Sequence, residues 1–93
     1  MEIIHERNEQ KGAFTAQEEG VKAGEMTYSW AGTDKIIIDH TEVNPEFKGQ
    51  GIGKIMVLAA VGFAREKEIK ILPLCPFAKA TFEKNSDIQD VLF

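Results

Sequence analysis

Apolar residues in this chain change their spacing once, and the change falls at a run of three glycines. In the first half, Met26, Tyr28 and Trp30 alternate with Glu25, Thr27 and Ser29. That period of two belongs to a strand with one wet face. From Ile52 onward, Ile52, Ile55, Met56, Ala59, Ala60 and Phe63 recur at helical spacing. Between the two patterns stands PEFKGQGIGK, residues 45–54, with glycine at 49, 51 and 53 and lysine at 48 and 54. A chain that passes from strands to a helix through such a corner is expected to build a mixed α/β (α+β) fold.

The strands are expected at Glu2–Arg7, Gly12–Gln17, Val21–Trp30 and Lys35–Val43, separated by the polar, glycine-containing segments Asn8–Gly12, Glu18–Gly20 and Ala31–Asp34. Turns about every ten residues predict an antiparallel meander. The helix should run from Gly51 to Lys67. Val57, Leu58 and Val61 make its second side apolar as well, so a C-terminal lid or a dimer contact is expected to cover it. Ile69–Leu74 reads as a short buried strand, and a strand–helix–strand crossover sets its neighbour parallel. Pro76 opens a second helix over Phe77–Lys84, because proline suits the first helical position. The tail Ser86–Phe93 is expected to add an edge strand or to dock on the core.

The sequence of 93 residues has room for one core, so residues 1–93 are expected to form a single domain. A net charge of −4 speaks against a partner held by phosphate charge, such as nucleic acid. MEIIHERNEQ lacks the apolar core of a signal peptide. The longest uncharged stretch, IMVLAAVGFA at Ile55–Ala64, is too short to span a bilayer. One cysteine allows neither an internal disulfide nor a cysteine-rich zinc site. A cytoplasmic chain, monomeric or weakly dimeric, with no metal, is expected.

The glycines fit neither of two common phosphate-binding patterns. A P-loop needs its first glycine at position 48, which is lysine, and a hydroxyl residue where Ile55 stands. A dinucleotide fingerprint needs a third glycine at position 54, again lysine. What remains is the chemistry those motifs share. A tight turn exposes the N–H groups at the start of a helix, whose dipole adds partial positive charge. Glycines at 49, 51 and 53 let an anion approach the main chain, and Lys48 and Lys54 add charge. Hydrogen bonds to a charged acceptor contribute about 1.5–3 kcal/mol each, enough to hold a pyrophosphate on an acidic protein. The alternative is a glycine-rich turn that merely fits a tight corner.

The stretch EVNPEFKGQGIGKIMVLAAVGFAREKEIKIL resembles the acetyl-coenzyme A binding core of the GNAT acyltransferase superfamily. That core has a strand, then arginine or glutamine-x-x-Gly-x-Gly/Ala, then an amphipathic helix and a strand. Here it reads Lys48-x-x-Gly51-x-Gly53, with lysine in place of the family's first residue. HTEV before the loop and CPF after the next strand are similar to a small one-domain branch of predicted acetyltransferases. The resemblance implies a GNAT-like mixed sheet whose two parallel strands splay apart. It implies that the backbone around Gln50–Lys54 binds the coenzyme A pyrophosphate, with Lys48, Gly49, Gln50, Gly51, Ile52, Gly53 and Lys54 as coenzyme-binding residues together with Val43. The pantetheine arm would then pair with the strand end at Glu42–Val43. Acetyl-coenzyme A as cosubstrate, and an amine acceptor that is a small molecule or a peptide, follow from the same resemblance.

Two departures from the family stand out. Between Ile4 and Gly20 there is space for a turn and a strand only, where most members place two helices, so the acceptor site should be open. AKATFEKN puts Phe82 where the family often carries a tyrosine that protonates the leaving thiolate. Cys75 precedes the helix opened by Pro76, a setting that favours thiolate. A single cysteine is more commonly a small buried hydrophobe. With the family fold it would face the splayed gap, either as an acyl-accepting nucleophile or as a proton donor. His40 and Glu42 share a strand face and are candidates to take a proton from the amine. The alternatives for them are a histidine bonded within the sheet and a solvated strand-end charge. His5, with no motif around it, reads as a surface residue, and the Met26, Tyr28, Trp30 stripe as core. The expected activity is acetyl-coenzyme A-dependent N-acyl transfer assisted by Cys75 or passing through it. The competing expectation is a non-catalytic coenzyme A-binding module.

Overall fold

The computed structural model describes all 93 residues. Five strands form one sheet in sequence order: β1 (Glu2–Arg7), β2 (Lys11–Glu18), β3 (Val21–Trp30), β4 (Lys35–Val43) and β5 (Lys70–Pro73). The first four pair antiparallel as a meander, and β5 joins β4 in parallel through the crossover helix α1 (Ile52–Lys67). A second helix, α2 (Pro76–Lys84), follows. The expected bounds of the third and fourth strands match. The second strand is one residue longer at each end, and the fifth is shorter, because pairing with β4 stops at Ile38↔Pro73. The helix starts at Ile52, with Gly51 as its N-cap.

One face of the sheet carries the core. Phe14, Ala16, Met26, Tyr28, Ile36, Ile38 and Ile71 point to it and meet Ile52, Met56, Ala60 and Ala64 of α1. Alternation along each strand leaves the other face half-buried to exposed, with Thr15, Gln17, Glu25, Thr27, Ser29 and Glu42 on it. The second apolar side of α1 is covered from within the chain: Val57 and Val61 are buried together with Ala78 and Phe82 of α2 and Ile88 and Val91 of the tail, while Leu58 stays exposed. The tail forms a 3₁₀ segment over Ser86–Val91. It then lies beside β5, where Leu92 bridges Ile71 and the Phe93 N–H donates to the Ile71 carbonyl at 2.9 Å. It therefore both docks on the core and covers an edge.

His5 is not a surface residue. It stacks on Phe14 (ring centroids 4.1 Å apart), meets the edge of Phe63 and bonds the Tyr28 hydroxyl at 2.6 Å. Burial, and then the nearby Arg7 charge, hold its imidazole below the usual histidine range. Tyr28, 1% exposed, is part of this aromatic cluster, as the core reading of its stripe expects. Trp30 packs at its rim, half-buried.

Candidate functional site

Two local features separate β4 from β5. Thr27 faces His40 and Tyr28 faces Ile38, so Asp39 is an extra residue in β4, a bulge. Pro73 of β5 has no N–H to give to a ladder. The Ile38 carbonyl instead accepts from the N–H groups of Leu74 and Cys75, each at 3.0 Å, and β4 runs on to Val43 paired with β3 but not with β5. Asn44 then fixes the corner. Its N–H donates to the Ala23 carbonyl, its side-chain amide to the Lys22 carbonyl, and its side-chain oxygen accepts from the Glu46 N–H. A single 3₁₀ turn, Pro45–Phe47, leads into the glycines.

Gly49 and Gly51 have φ of +86° and +74°, the left-handed region that a side chain disfavours. Gly53 plays a different part: the ring of Phe77, at the start of α2, packs against its bare backbone where a Cβ would stand. The N–H groups of Lys48 and Gln50 are taken up by Pro45 and Phe47 inside the turn. Those of Gly49, Gly51, Ile52, Gly53 and Lys54 meet no acceptor in the protein, and Gly51 offers no side chain to cap the helix. Unpaired donors at a helix start, with the positive dipole end behind them, attract an anion.

These donors open on a groove of about 520 Å³. Thr41 and Val43 of β4 form one wall, Phe47 and Lys48 the turn side, and Gly51–Gly53 with Phe77 the helix side. Of the predicted coenzyme residues, Val43, Lys48, Gly49, Gly51, Ile52 and Gly53 line it, whereas Gln50 and Lys54 stand exposed at its margin. Sequence reasoning missed Thr41, Pro45, Phe47 and Phe77. A glycine buried in the first turn of a helix, as Gly53 is, signals a large group packed against the backbone.

Cys75 is the N-cap of α2 and 5% exposed. Its Sγ lies 3.3 Å from the Thr41 hydroxyl, which places it behind the groove wall. Burial pushes the thiol pKa up, but the Thr41 hydroxyl and the N–H groups of Ala78 and Phe77 outweigh it and hold the thiol below its usual range. His40 and Glu42 are brought together with each other, 3.6 Å apart, but not with Cys75. Pairing with Thr27 and Glu25 puts them on the outer face of the sheet, where their side chains are 65% and 76% exposed. Phe82 is buried in the core. A shallow depression of about 540 Å³ near Arg7, Lys11 and Asp39 shares none of the groove's residues. No cluster of three metal-ligating side chains occurs, and no helix is long and apolar enough to cross a membrane.

A mixed sheet with a parallel pair that diverges above an uncapped helix start describes the GNAT fold class. Residues 13–91 match the GCN5-related N-acetyl-transferase family, and the chain belongs to it. The chain is similar to Protein NATD1 of Xenopus tropicalis, with 30% identity over 60 residues, covering 64% of this chain and 55% of that relative. It thus spans little more than half of that relative's length. It is also similar to a GCN5-like candidate N-acetyltransferase of Staphylococcus aureus, known from a solution NMR structure. Identity is 38%, the TM-score is 0.72, and 97% of this chain and 87% of that one are covered. The fold, at 15% identity and a TM-score of 0.60, is shared with AAC(6')-Iy solved in complex with the bisubstrate analogue CoA-S-monomethyl-acetylneamine. That match covers 87% of this chain and 62% of the other.

Proposed function

We propose that this chain binds acetyl-coenzyme A at the glycine corner and passes the acetyl group to an amine, with Cys75 serving the transfer. The observation that carries the reading is the set of five N–H groups without acceptors between Gly49 and Lys54, at a groove whose inner wall touches the Cys75 sulfur. Family membership and a relative that holds a coenzyme A bisubstrate analogue support it. The pyrophosphate would take the amides and Lys48, and the open edge of β4 at Thr41–Val43 would take the pantetheine arm. Acetyl-coenzyme A supplies an activated thioester. As the amine nitrogen bonds the acetyl carbon, the carbon–sulfur bond breaks, the amine gives up a proton and the departing thiolate needs one. With phenylalanine at position 82, the Cys75 S–H, hydrogen-bonded to the groove-lining Thr41, would supply that proton. A thiolate at the same place would instead accept the acetyl group and hand it on. His40 and Glu42 would take the amine's proton if the acceptor approaches from the outer face of β4.

Coenzyme A titrated against thermal stability tests the binding claim. At about 100 times the dissociation constant the shift should correspond to about 2.7 kcal/mol, and no shift at millimolar ligand would sink the reading. Cys75→Ala should slow consumption of acetyl-coenzyme A while leaving that shift in place. A gain of one acetyl group in the intact mass would indicate the acyl-cysteine route. The burial of Phe82, which leaves the usual acid absent, favours a second reading as a coenzyme A-binding module without turnover. Binding without turnover toward any of a panel of amines would establish that instead.

A further inference from the structure

The bulge at Asp39 decides which residues of β4 reach the groove. Beyond it, Thr41 lies opposite the fully buried Met26, so the ladder turns Thr41 to the helix-covered face and leaves His40 and Glu42 outside. Thr41 lines the groove and Cys75 does not, yet the two are joined by a 3.3 Å hydrogen bond. The other groups acting on the sulfur are main-chain N–H groups of Phe77, Ala78 and Thr41. No charged side chain acts on it. His40 and Glu42 leave β4 on the opposite face, and Lys79 of α2 meets Cys75 only through its N–H, which bonds the Cys75 carbonyl at 2.9 Å.

We propose that Thr41 is a positioning residue for Cys75, holding the sulfur at the inner wall of the groove and coupling its proton to the contents of the groove. In the thiol form S–H donates to Oγ1. When the S–H proton passes to water in the groove, or to the departing coenzyme A thiolate, the Thr41 hydroxyl rotates and donates to the Cys75 thiolate. No bond other than S–H breaks, and the reverse step restores the thiol. A serine preserves this exchange, whereas valine keeps the shape of threonine and removes it. Use of the pair in acetyl transfer rests on the proposed function, but the coupling itself is a property of the free protein.

Cys75 is the only cysteine, so cysteine labelled with ¹³C at Cβ gives one titrating signal. Wild type, Thr41→Ser and Thr41→Val are titrated without coenzyme, with circular dichroism confirming the fold. Losing a hydrogen bond to a charged acceptor should lower the thiolate-to-thiol ratio of Thr41→Val at neutral pH on the order of tenfold. Thr41→Ser should stay within about twofold of wild type. On the acyl-cysteine route, Thr41→Val should lose rate at neutral pH and recover it as pH rises, whereas with the S–H as acid its activity should persist to higher pH than that of wild type. A Thr41→Val titration superimposable on wild type overturns the proposal. If that variant fails to fold, Thr41→Ala against Thr41→Ser makes the same contrast: a lowered thiolate population in the alanine variant alone supports the coupling, and coincident titrations overturn it. Absence of a coenzyme A shift in wild type would remove the acetyltransferase reading and leave the titration result standing.

Discussion

The two ends of α1 are finished in opposite ways. At its C-terminal end the chain turns back and caps the helix with its own backbone. Glu68 turns into the left-handed region and its N–H returns to the carbonyls of Ala64 and Arg65, and the Ile69 N–H adds a second bond to Ala64. Arg65 and Lys67 suit the negative dipole end, and Arg65 reaches Asp90 at 2.7 Å and the Asp87 carbonyl at 2.9 Å. Close by, Phe63 closes the aromatic cluster of His5, Phe14, Tyr28 and Trp30. At the N-terminal end the cap is a glycine with no side chain, five nearby N–H groups lack acceptors, and the covering ring of Phe77 is 43% exposed. One end holds the domain together. The other leaves its donors facing the groove, as the binding proposed above requires.

The sharpest way to break that contrast is to damage the closed end. Tyr28→Ala removes a side chain that is 1% exposed and strands its hydrogen-bond partner His5. Loss of about 3–5 kcal/mol is expected in urea unfolding, a large part of what a domain of this size has, while the folded fraction still binds coenzyme A with near wild-type affinity. Equal loss of binding would mean that the two ends are not separate.

Gly53→Ala should do the reverse. Alanine is the better helix former by about 1 kcal/mol, and the Phe77 ring that it displaces is free to swing into solvent. Stability should change by no more than about 1 kcal/mol, while the coenzyme A thermal shift falls because a groove wall has moved. An unchanged shift would show that Phe77 does not shape the site.

The smallest effect is a pH dependence confined to the closed end. Burial holds the folded His5 imidazole below its ordinary value of 6.5, so below that pH the unfolded chain binds the extra proton. Stability should be full above about pH 6.5 and fall as pH drops toward the folded pKa. In His5→Phe this part of the decline should vanish, read as the difference between the two urea midpoints from pH 7.5 to 5. A decline of the same size in both proteins would place its cause elsewhere.

Much of this was readable along the chain because its causes are local. The alternation in Val21–Trp30, the helical spacing after Ile52 and the glycine corner are all set by neighbours within a few residues, and so is the placement of Cys75 before Pro76. The bulge was not readable: nothing in IIIDHTEV marks Asp39 as an inserted residue, since pairing with β3 decides it. That one insertion moves His40 and Glu42 away from the groove and brings Thr41 in. His5 escaped notice for the same reason, because its partner Tyr28 lies 23 residues away in another strand. Phe77 reaches Gly53 only once α2 has packed on α1.

By itself the sequence determined where strands give way to helix, that the corner between them would be bare backbone, and that a single thiol would stand at the start of α2. Those follow from dihedral preferences and hydrophobic period, which act over a few residues. Only the tertiary structure decided which side of β4 faces the groove and which side chain lies against the sulfur. Both depend on strand register and on contacts between residues far apart in sequence, and a one-residue slip in register exchanges the two faces of a strand.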